Sequence, residues 1–292
     1  MRYLVYPVQL TAICLLLLGS GAAFADAQAQ HADALARIKA AAHQRALFQT
    51  MAKSTCFLMA GVAPQLQAEQ AFIASMMFDD NAAALRSGQG EGIAGPESDP
   101  VILAGLDGID TQWATFAPAS RQVMSGDFHA IPVQQLIRLD PVVSSNLEAL
   151  VEQVAETYRT RLVTRQEMVR TISQAAGQSM LVRKAAKALC YIGIDLSQAR
   201  MRDELAHAID RFETILTAME FGDFDLEIVD PPTLAAIKQV MEMKDVWTRL
   251  RPLLERGLGD QPVGRETLTE VAALTDEMAG LTDGMVALYL EQ

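Results

Sequence analysis

The sequence predicts an all-α protein built from two tandem antiparallel four-helix bundles. Apolar residues recur at three- and four-residue spacing through most of the chain, which is typical of amphipathic helices. No segment alternates apolar and polar residues convincingly as a strand would. A unit of 134 residues also occurs twice. We assign residues 1–25 to a signal peptide, 26–158 to the first bundle and 159–292 to the second.

The duplication is clearest at the two tryptophans of the chain, Trp113 and Trp247. They lie 134 residues apart, and each is followed five residues later by a proline. The same offset aligns further residues without a gap: Ala52 and Lys53 with Ala186 and Lys187, Cys56 with Cys190, Phe78 with Phe212, and Gly88 with Gly222. Alignment over such a length indicates an internal repeat, although the frame slips beyond about Gly126.

Three segments rich in glycine, proline and polar residues divide each copy into four helices. They are residues 61–64, 88–100 and 125–132 in the first copy, and 193–197, 222–232 and 257–264 in the second. Short connections between helices of similar length favour an antiparallel arrangement. The tryptophans fall in the third helices, which begin after a proline.

The connection between the two copies decides how the bundles are arranged. Residues 142–176 contain neither glycine nor proline, so one long helix is predicted to join the bundles end to end. Equivalent residues would then lie tens of ångströms apart, and Cys56 and Cys190 are expected to be free, buried thiols. The alternative is a polar break within residues 158–165. It would let the bundles lie side by side and could bring the two cysteines together.

The N-terminal residues have the layout of a secretory signal peptide. Arg2 precedes an apolar run that includes Leu15–Leu18, and small residues follow up to Ala25, after which we expect cleavage. An uncleaved anchor is the alternative, but the apolar run is short for a bilayer. We therefore expect export to the periplasm. The formal net charge of −12 disfavours nucleic acid and anionic membranes as partners.

The first helix of each copy carries a recognisable motif. Residues 38–53 (IKAAAHQRALFQTMAK) and 172–187 (ISQAAGQSMLVRKAAK) resemble the opening helix of PilJ/NarX-type sensor domains. Those domains are the periplasmic input modules of type IV pilus chemotaxis transducers and of nitrate/nitrite sensor kinases. The resemblance implies a four-helix fold, a small oxyanion of the nitrate or nitrite class as ligand, and a membrane-bound sensor or transducer as partner.

The resemblance also suggests which residues contact a ligand. In the nitrate sensors of this family, a central arginine holds the anion where the first helices of two protomers meet. That position is Arg45 in the first copy but Ser179 in the second, which predicts at most one high-affinity site. The candidate ligand contacts are Arg45, His43, Arg183 and Lys184. The alternative role for Arg45, Arg183, Lys184 and Lys187 is to reach solvent or to pair with acids.

Other chemistry has little support in the sequence. Glu204 and His207 have the spacing used in di-iron bundles, but the first copy has Gln70 and Ile73 at those positions, so we expect no metal site. No phosphate loop, nucleophile elbow or zinc-protease motif occurs, and we expect neither an enzyme nor a cofactor. Four methionines at helical spacing are expected to pack in the cores: Met76, Met77, Met241 and Met243.

These observations favour a periplasmic ligand-binding or signal-input protein without an output domain of its own. The alternative is a structural or adaptor protein that binds a membrane sensor or a pilus component and has no small ligand.

Overall fold

The structure is a computed structural model that describes residues 10–162, 166–259 and 261–290. In these ranges eight α-helices account for nearly all the regular structure, and the only β-type pairing is one isolated bridge. The first copy contains α1 (Leu10–Met59), α2 (Pro64–Ser87), α3 (Pro100–Met124) and α4 (Ala130–Tyr158). The second copy contains α5 (Gln166–Gly193), α6 (Gln198–Phe221), α7 (Leu234–Glu255) and α8 (Arg265–Leu290). The predicted all-α class is confirmed.

The predicted breaks between the helices are all present, and the break before the third helix is similar in the two copies. Gly88 and Gly222 end α2 and α6 with positive φ values of 74° and 73°, which glycine adopts without strain, although their ψ values of 13° and 157° differ. Asp99 caps α3 by accepting hydrogen bonds from two backbone N–H groups, and Thr233 caps α7 by accepting one. The duplicated sequence therefore encodes duplicated helix ends.

The duplicated aromatic residues occupy equivalent places in two cores. Phe78 packs against Trp113 with ring centroids 3.9 Å apart, and Phe212 packs against Trp247 at 4.2 Å. In both copies the indole N–H donates to the carboxylate that directly follows this phenylalanine in the sequence, at 2.6 Å and 3.4 Å. Each tryptophan is thus held by an apolar contact and a polar one.

The predicted long helix between the bundles is wrong. α4 ends at Tyr158, a short 3₁₀ turn follows at residues 159–161, and Leu162 is extended. Contacts within the first bundle hold this end: the Tyr158 hydroxyl donates to Glu97, and the Arg161 guanidinium lies 4.7 Å from the centroid of the Tyr158 ring. The absence of glycine and proline therefore did not ensure a continuous helix, because tertiary contacts ended it.

The bundles lie side by side, with α1 packed on α5. Cys56 and Cys190 form a disulfide with a Cα–Cα distance of 6.1 Å, so the expected free thiols are also wrong. Nearer the start of the two helices, a Cβ built on Gly177 would lie 3.8 Å from Nη2 of Arg45. The contacts advance in the same direction along both helices, so α1 and α5 are parallel. Because the bonded cysteines are equivalent residues, an approximate twofold axis relates the two copies there.

The N-terminal part of α1 contains the expected cleavage site. α1 begins at Leu10, so the expected cleavage site after Ala25 falls inside it, whereas residues 1–9 lie outside the described residues. Within the described ranges, no helix is both long and apolar enough to cross a membrane.

Removing the disulfide should destabilise the protein without abolishing its helices. Cys56→Ala, Cys190→Ala and the double variant should each lose about 2 to 5 kcal/mol of unfolding free energy, since all three open the same large loop. Urea denaturation followed by circular dichroism measures this loss. Unreduced wild-type protein, once denatured, should show no reactive thiol from these two residues. Two reactive thiols per chain, or unequal losses in the single variants, would contradict the pairing.

Candidate functional site

The residues singled out in the sequence meet where α1 packs on α5. We call this contact, formed by residues 43–56 of α1 and 177–190 of α5, the junction. Ala52 and Ala186 are buried within it and provide little bulk, so the two helices can approach closely. Side chains from α4 and α8 reach the junction as well.

Arg45 is the candidate whose charge is least compensated. Its Nε is buried and has no hydrogen-bond partner within the described chain. Burial lowers the pKa of the guanidinium, and the carboxylates of Glu148 and Glu152 on α4 partly offset this effect. A Cβ built on Gly177 would lie in ordinary van der Waals contact with Nη2 of Arg45, so α5 packs directly beside the guanidinium. Arg45 therefore has donor capacity that the described residues do not use.

Arg183 is engaged with its own helix instead. It donates to the backbone carbonyl and to the hydroxyl of Ser179, the residue that replaces the family's central arginine in the second copy. Burial lowers the pKa of this guanidinium too, with Asp283 and Asp276 acting in the opposite direction. The second copy thus has no counterpart of the Arg45 donor group.

The other two candidates, Lys184 and His43, are each linked electrostatically to one of these arginines. Lys184 lies 3.5 Å from Glu148, one of the carboxylates that influences Arg45. The His43 side chain is exposed at the edge of the junction. Partial burial of its imidazole lowers the pKa, Asp283 raises the pKa, and Arg183 lowers it. Arg45 and Lys184 therefore share the carboxylate of Glu148, whereas His43 lies within electrostatic range of Arg183.

The last residue of the second motif, Lys187, forms a buried charge cluster that the sequence did not reveal. Its side chain is 0% exposed, and its Nζ donates to Asp140 of α4 at 2.7 Å and lies 2.8 Å from Glu204 of α6. Burial raises the pKa of Asp140 despite the opposing effect of Lys187. Burial disfavours charged Lys187 as well, but Asp140 and Glu204 outweigh it and the pKa is raised. One lysine thus lies between two carboxylates, Asp140 with 1% and Glu204 with 13% of the side chain exposed.

Lys53, the equivalent residue of the first copy, makes a similar but neutral cluster. Its side chain is also 0% exposed, and its Nζ lies 2.5 Å from Asp276 of α8 and 3.4 Å from the amide oxygen of Gln70. Gln70 is the equivalent of Glu204. In both copies, therefore, the motif lysine crosses to an aspartate on the last helix of the other copy.

Glu204 and His207, whose spacing is used in di-iron bundles, have different surroundings. Glu204 is held by Lys187, and His207 is exposed on the outer side of α6. Across the described parts of the chain, no three histidine, cysteine or acidic side chains are grouped so as to hold a metal ion.

Replacing Lys187 should destabilise the protein far more than replacing Lys53. Lys187→Met removes the nearest counter-charge of Asp140 and Glu204 and should cost about 3 to 5 kcal/mol. Lys53→Met leaves only Asp276 without its partner, and this side chain is 37% exposed and stays hydrated. The Lys53→Met variant is therefore the matched control. Denaturant titration of both variants measures the difference.

The loss in Lys187→Met should also depend on pH. A carboxyl whose pKa is raised in the folded state favours folding below that pKa and opposes it above. Burial already raises the pKa of Asp140, and the variant removes the cation that counteracts this most strongly. The variant should therefore be more destabilised at pH 8 than at pH 5. Equal losses in both variants, or a loss independent of pH, would show that Lys187 acts only through packing.

Comparison with known proteins adds no family assignment. The sequence matches no protein-family model and no curated protein. The likeness of its motifs to PilJ/NarX-type sensor domains therefore stays a prediction. Any function must be argued from the geometry of the junction.

Proposed function

We propose that the protein is an exported signal-input protein whose junction binds one small oxyanion of the nitrate or nitrite class. A membrane-bound sensor or transducer would receive the signal. The observation that carries the proposal is the Arg45 guanidinium, whose Nε is buried at the junction without a hydrogen-bond partner in the described chain.

An unpaired buried donor is uncommon and suggests a missing partner. Buried polar groups in folded proteins are nearly always hydrogen-bonded, so an exception points to water, an ion or a ligand. The planar donor group of arginine matches the geometry of an oxyanion, and the resulting bond is charge-assisted. Burial disfavours the charge on Arg45, and a bound anion would compensate for that. Small oxyanions fit this chemistry better than neutral ligands.

The pairing of first helices supports the same proposal. In the sensor domains that the motifs resemble, the anion lies where the first helices of two protomers meet. Here α1 and α5 of a single chain meet in parallel, with Cys56 bonded to its equivalent Cys190. Because Ser179 replaces the arginine in the second copy and accepts hydrogen bonds from Arg183, one site per chain is proposed.

The proposed location rests on the signal layout and on the disulfide. Disulfides form and persist in oxidising compartments such as the bacterial periplasm. A bond between Cys56 and Cys190 suits that environment. We therefore propose that the mature protein acts in the periplasm after cleavage following Ala25.

A second candidate function is that of an adaptor without a small ligand. The observation that favours it is a row of large apolar side chains exposed on α2, Phe72, Ile73, Met76 and Met77. Exposed rows of this kind mark protein interaction surfaces. An adaptor would use this row and leave the junction purely structural.

Calorimetric titration with nitrate, nitrite and chloride separates the two functions. Nitrate or nitrite should bind with a stoichiometry of one per chain, and Arg45→Ala should weaken binding about ten- to a hundred-fold, or about 1.5 to 3 kcal/mol. Arg45→Lys keeps the charge but not the planar donor group, and should bind with intermediate affinity.

Arg249→Ala is the matched control for this titration. It removes the same charge from a surface ion pair with Glu277 and should leave the affinity unchanged. Two equivalent sites per chain, or full affinity in Arg45→Ala, would contradict the proposed site. No heat with any of the anions would favour the adaptor.

A further inference from the structure

Helix α2 carries an exposed apolar surface that folding of the bundle does not require. Phe72, Ile73, Met76 and Met77 are 53%, 46%, 51% and 42% exposed. Ile73, Met76 and Met77 follow Phe72 by one, four and five positions. The four side chains therefore lie on one side of the helix, over about two turns. We call these four residues the α2 patch. The expectation that Met76 and Met77 pack in the core is wrong, as it is for Met241, whereas Met243 is buried.

The second copy shows that this position in the bundle can be polar. At the equivalent places α6 has Ala206, His207, Asp210 and Arg211. Both copies form the same four-helix arrangement with the same tryptophan packing. The apolar character of the α2 patch is therefore a property of the first copy alone, and it needs a reason other than the stability of the fold.

Two carboxylates lie at the ends of the patch. Glu69 precedes it by one turn and Asp80 follows it by one turn, both exposed and on the same side of α2. They are 11 positions apart in the sequence, which corresponds to about 16 Å along the helix. Neither takes part in an ion pair among the described residues. The surface is thus apolar in the middle and negative at both ends.

This charge pattern argues against a second copy as the occupant. If two α2 patches met in antiparallel fashion, Glu69 would lie opposite Asp80 of the other copy. In parallel fashion each carboxylate would meet its own counterpart. Both arrangements bring like charges together at the rim of an apolar contact, which is unfavourable.

An exposed apolar row on α7 is no better a match. Leu234, Ile237 and Met241 are exposed on α7, with Lys238 and Lys244 close by. Both lysines are already near carboxylates, Lys238 at 3.5 Å from Glu242 and Lys244 at 2.5 Å from Glu220. Their charge is therefore compensated within the chain, and the negative ends of the α2 patch call for a different partner.

We propose that the α2 patch binds an amphipathic helix of a partner protein. The apolar side of that helix covers Phe72, Ile73, Met76 and Met77, and lysine or arginine residues about three turns apart meet Glu69 and Asp80. Methionine side chains adapt readily to an apolar helix face, as they do in other helix-binding grooves. The binding uses no residue of the junction and does not depend on an oxyanion.

The test uses a synthetic labelled peptide, an 18-residue amphipathic helix with leucines on one face and two lysines 11 positions apart. Its binding to the full chain is followed by fluorescence anisotropy. We expect saturable binding at one site, and affinity that falls as salt is added because charged groups meet at both ends. A second peptide with glutamates in place of the two lysines should bind at least about ten-fold more weakly.

The matched variant carries the second copy's residues on α2: Phe72→Ala, Ile73→His, Met76→Asp and Met77→Arg. It should fold, since these side chains already occupy the same positions of α6, and circular dichroism and thermal melting check this. Peptide binding should fall at least about ten-fold, because the apolar contact is lost. Glu69→Gln with Asp80→Asn should weaken binding and remove most of its salt dependence.

Several outcomes would overturn the proposal. Equal binding of the peptide to wild type and to the four-residue variant would show that the patch is not the site. Equal binding of the lysine and glutamate peptides would show that the carboxylates of Glu69 and Asp80 do not contribute to binding. Wild-type protein that dimerises in sedimentation while the variant stays monomeric would assign the patch to a second copy. Binding to lipid vesicles that the variant loses would assign it to a membrane.

The same titration with Arg45→Ala keeps this proposal separate from the oxyanion site. Peptide binding should be unchanged in that variant and in the presence or absence of nitrate. If the protein binds the peptide but no anion, the proposal for the α2 patch is unaffected. If it binds the anion but not the peptide, only the proposal for the α2 patch is refuted.

Discussion

The contact between α1 and α5 is the constraint on which the rest of the molecule depends. A disulfide joins two equivalent residues across it, and two lysines beside that disulfide cross to aspartates of the opposite copy. A lysine that is fully buried must keep its counter-charge, because an unpaired charge in the interior is very costly. Sliding α1 along α5 would separate both lysines from their aspartates at once. The charged groups and the disulfide together therefore fix the register of α1 against α5.

Fold class, duplication and helix ends could be predicted from the sequence because each depends on local patterns. Apolar spacing gave the helices, and equivalent glycines with positive φ end α2 and α6. The arrangement of the two bundles could not be predicted in this way. The sequence between α4 and α5 contains neither glycine nor proline, yet α4 ends at Tyr158, whose hydroxyl donates to Glu97 of the first bundle. Such a contact joins residues far apart in sequence.

The candidate site was predicted in part. Arg45 stood out because the motif drew attention to it, and its buried Nε does lack a partner in the described chain. The carboxylates that complete the lysine clusters were missed. Asp140 and Asp276 lie beyond the point where the repeat frame slips, so no alignment of the two copies paired them. Their importance appears only when α4 and α8 fold back beside the junction.

The difference between the two lysine clusters has a consequence for how such a molecule can evolve. In a symmetric homodimer every substitution appears on both sides of the twofold axis, so a new charge is always introduced twice. When both halves belong to one chain, each side can change alone. Here Glu204 adds a negative charge to one cluster while Gln70 keeps the other neutral, and Arg45 faces a half that has serine in its place. Duplication and fusion thus turn a self-paired surface into two surfaces that natural selection can modify independently.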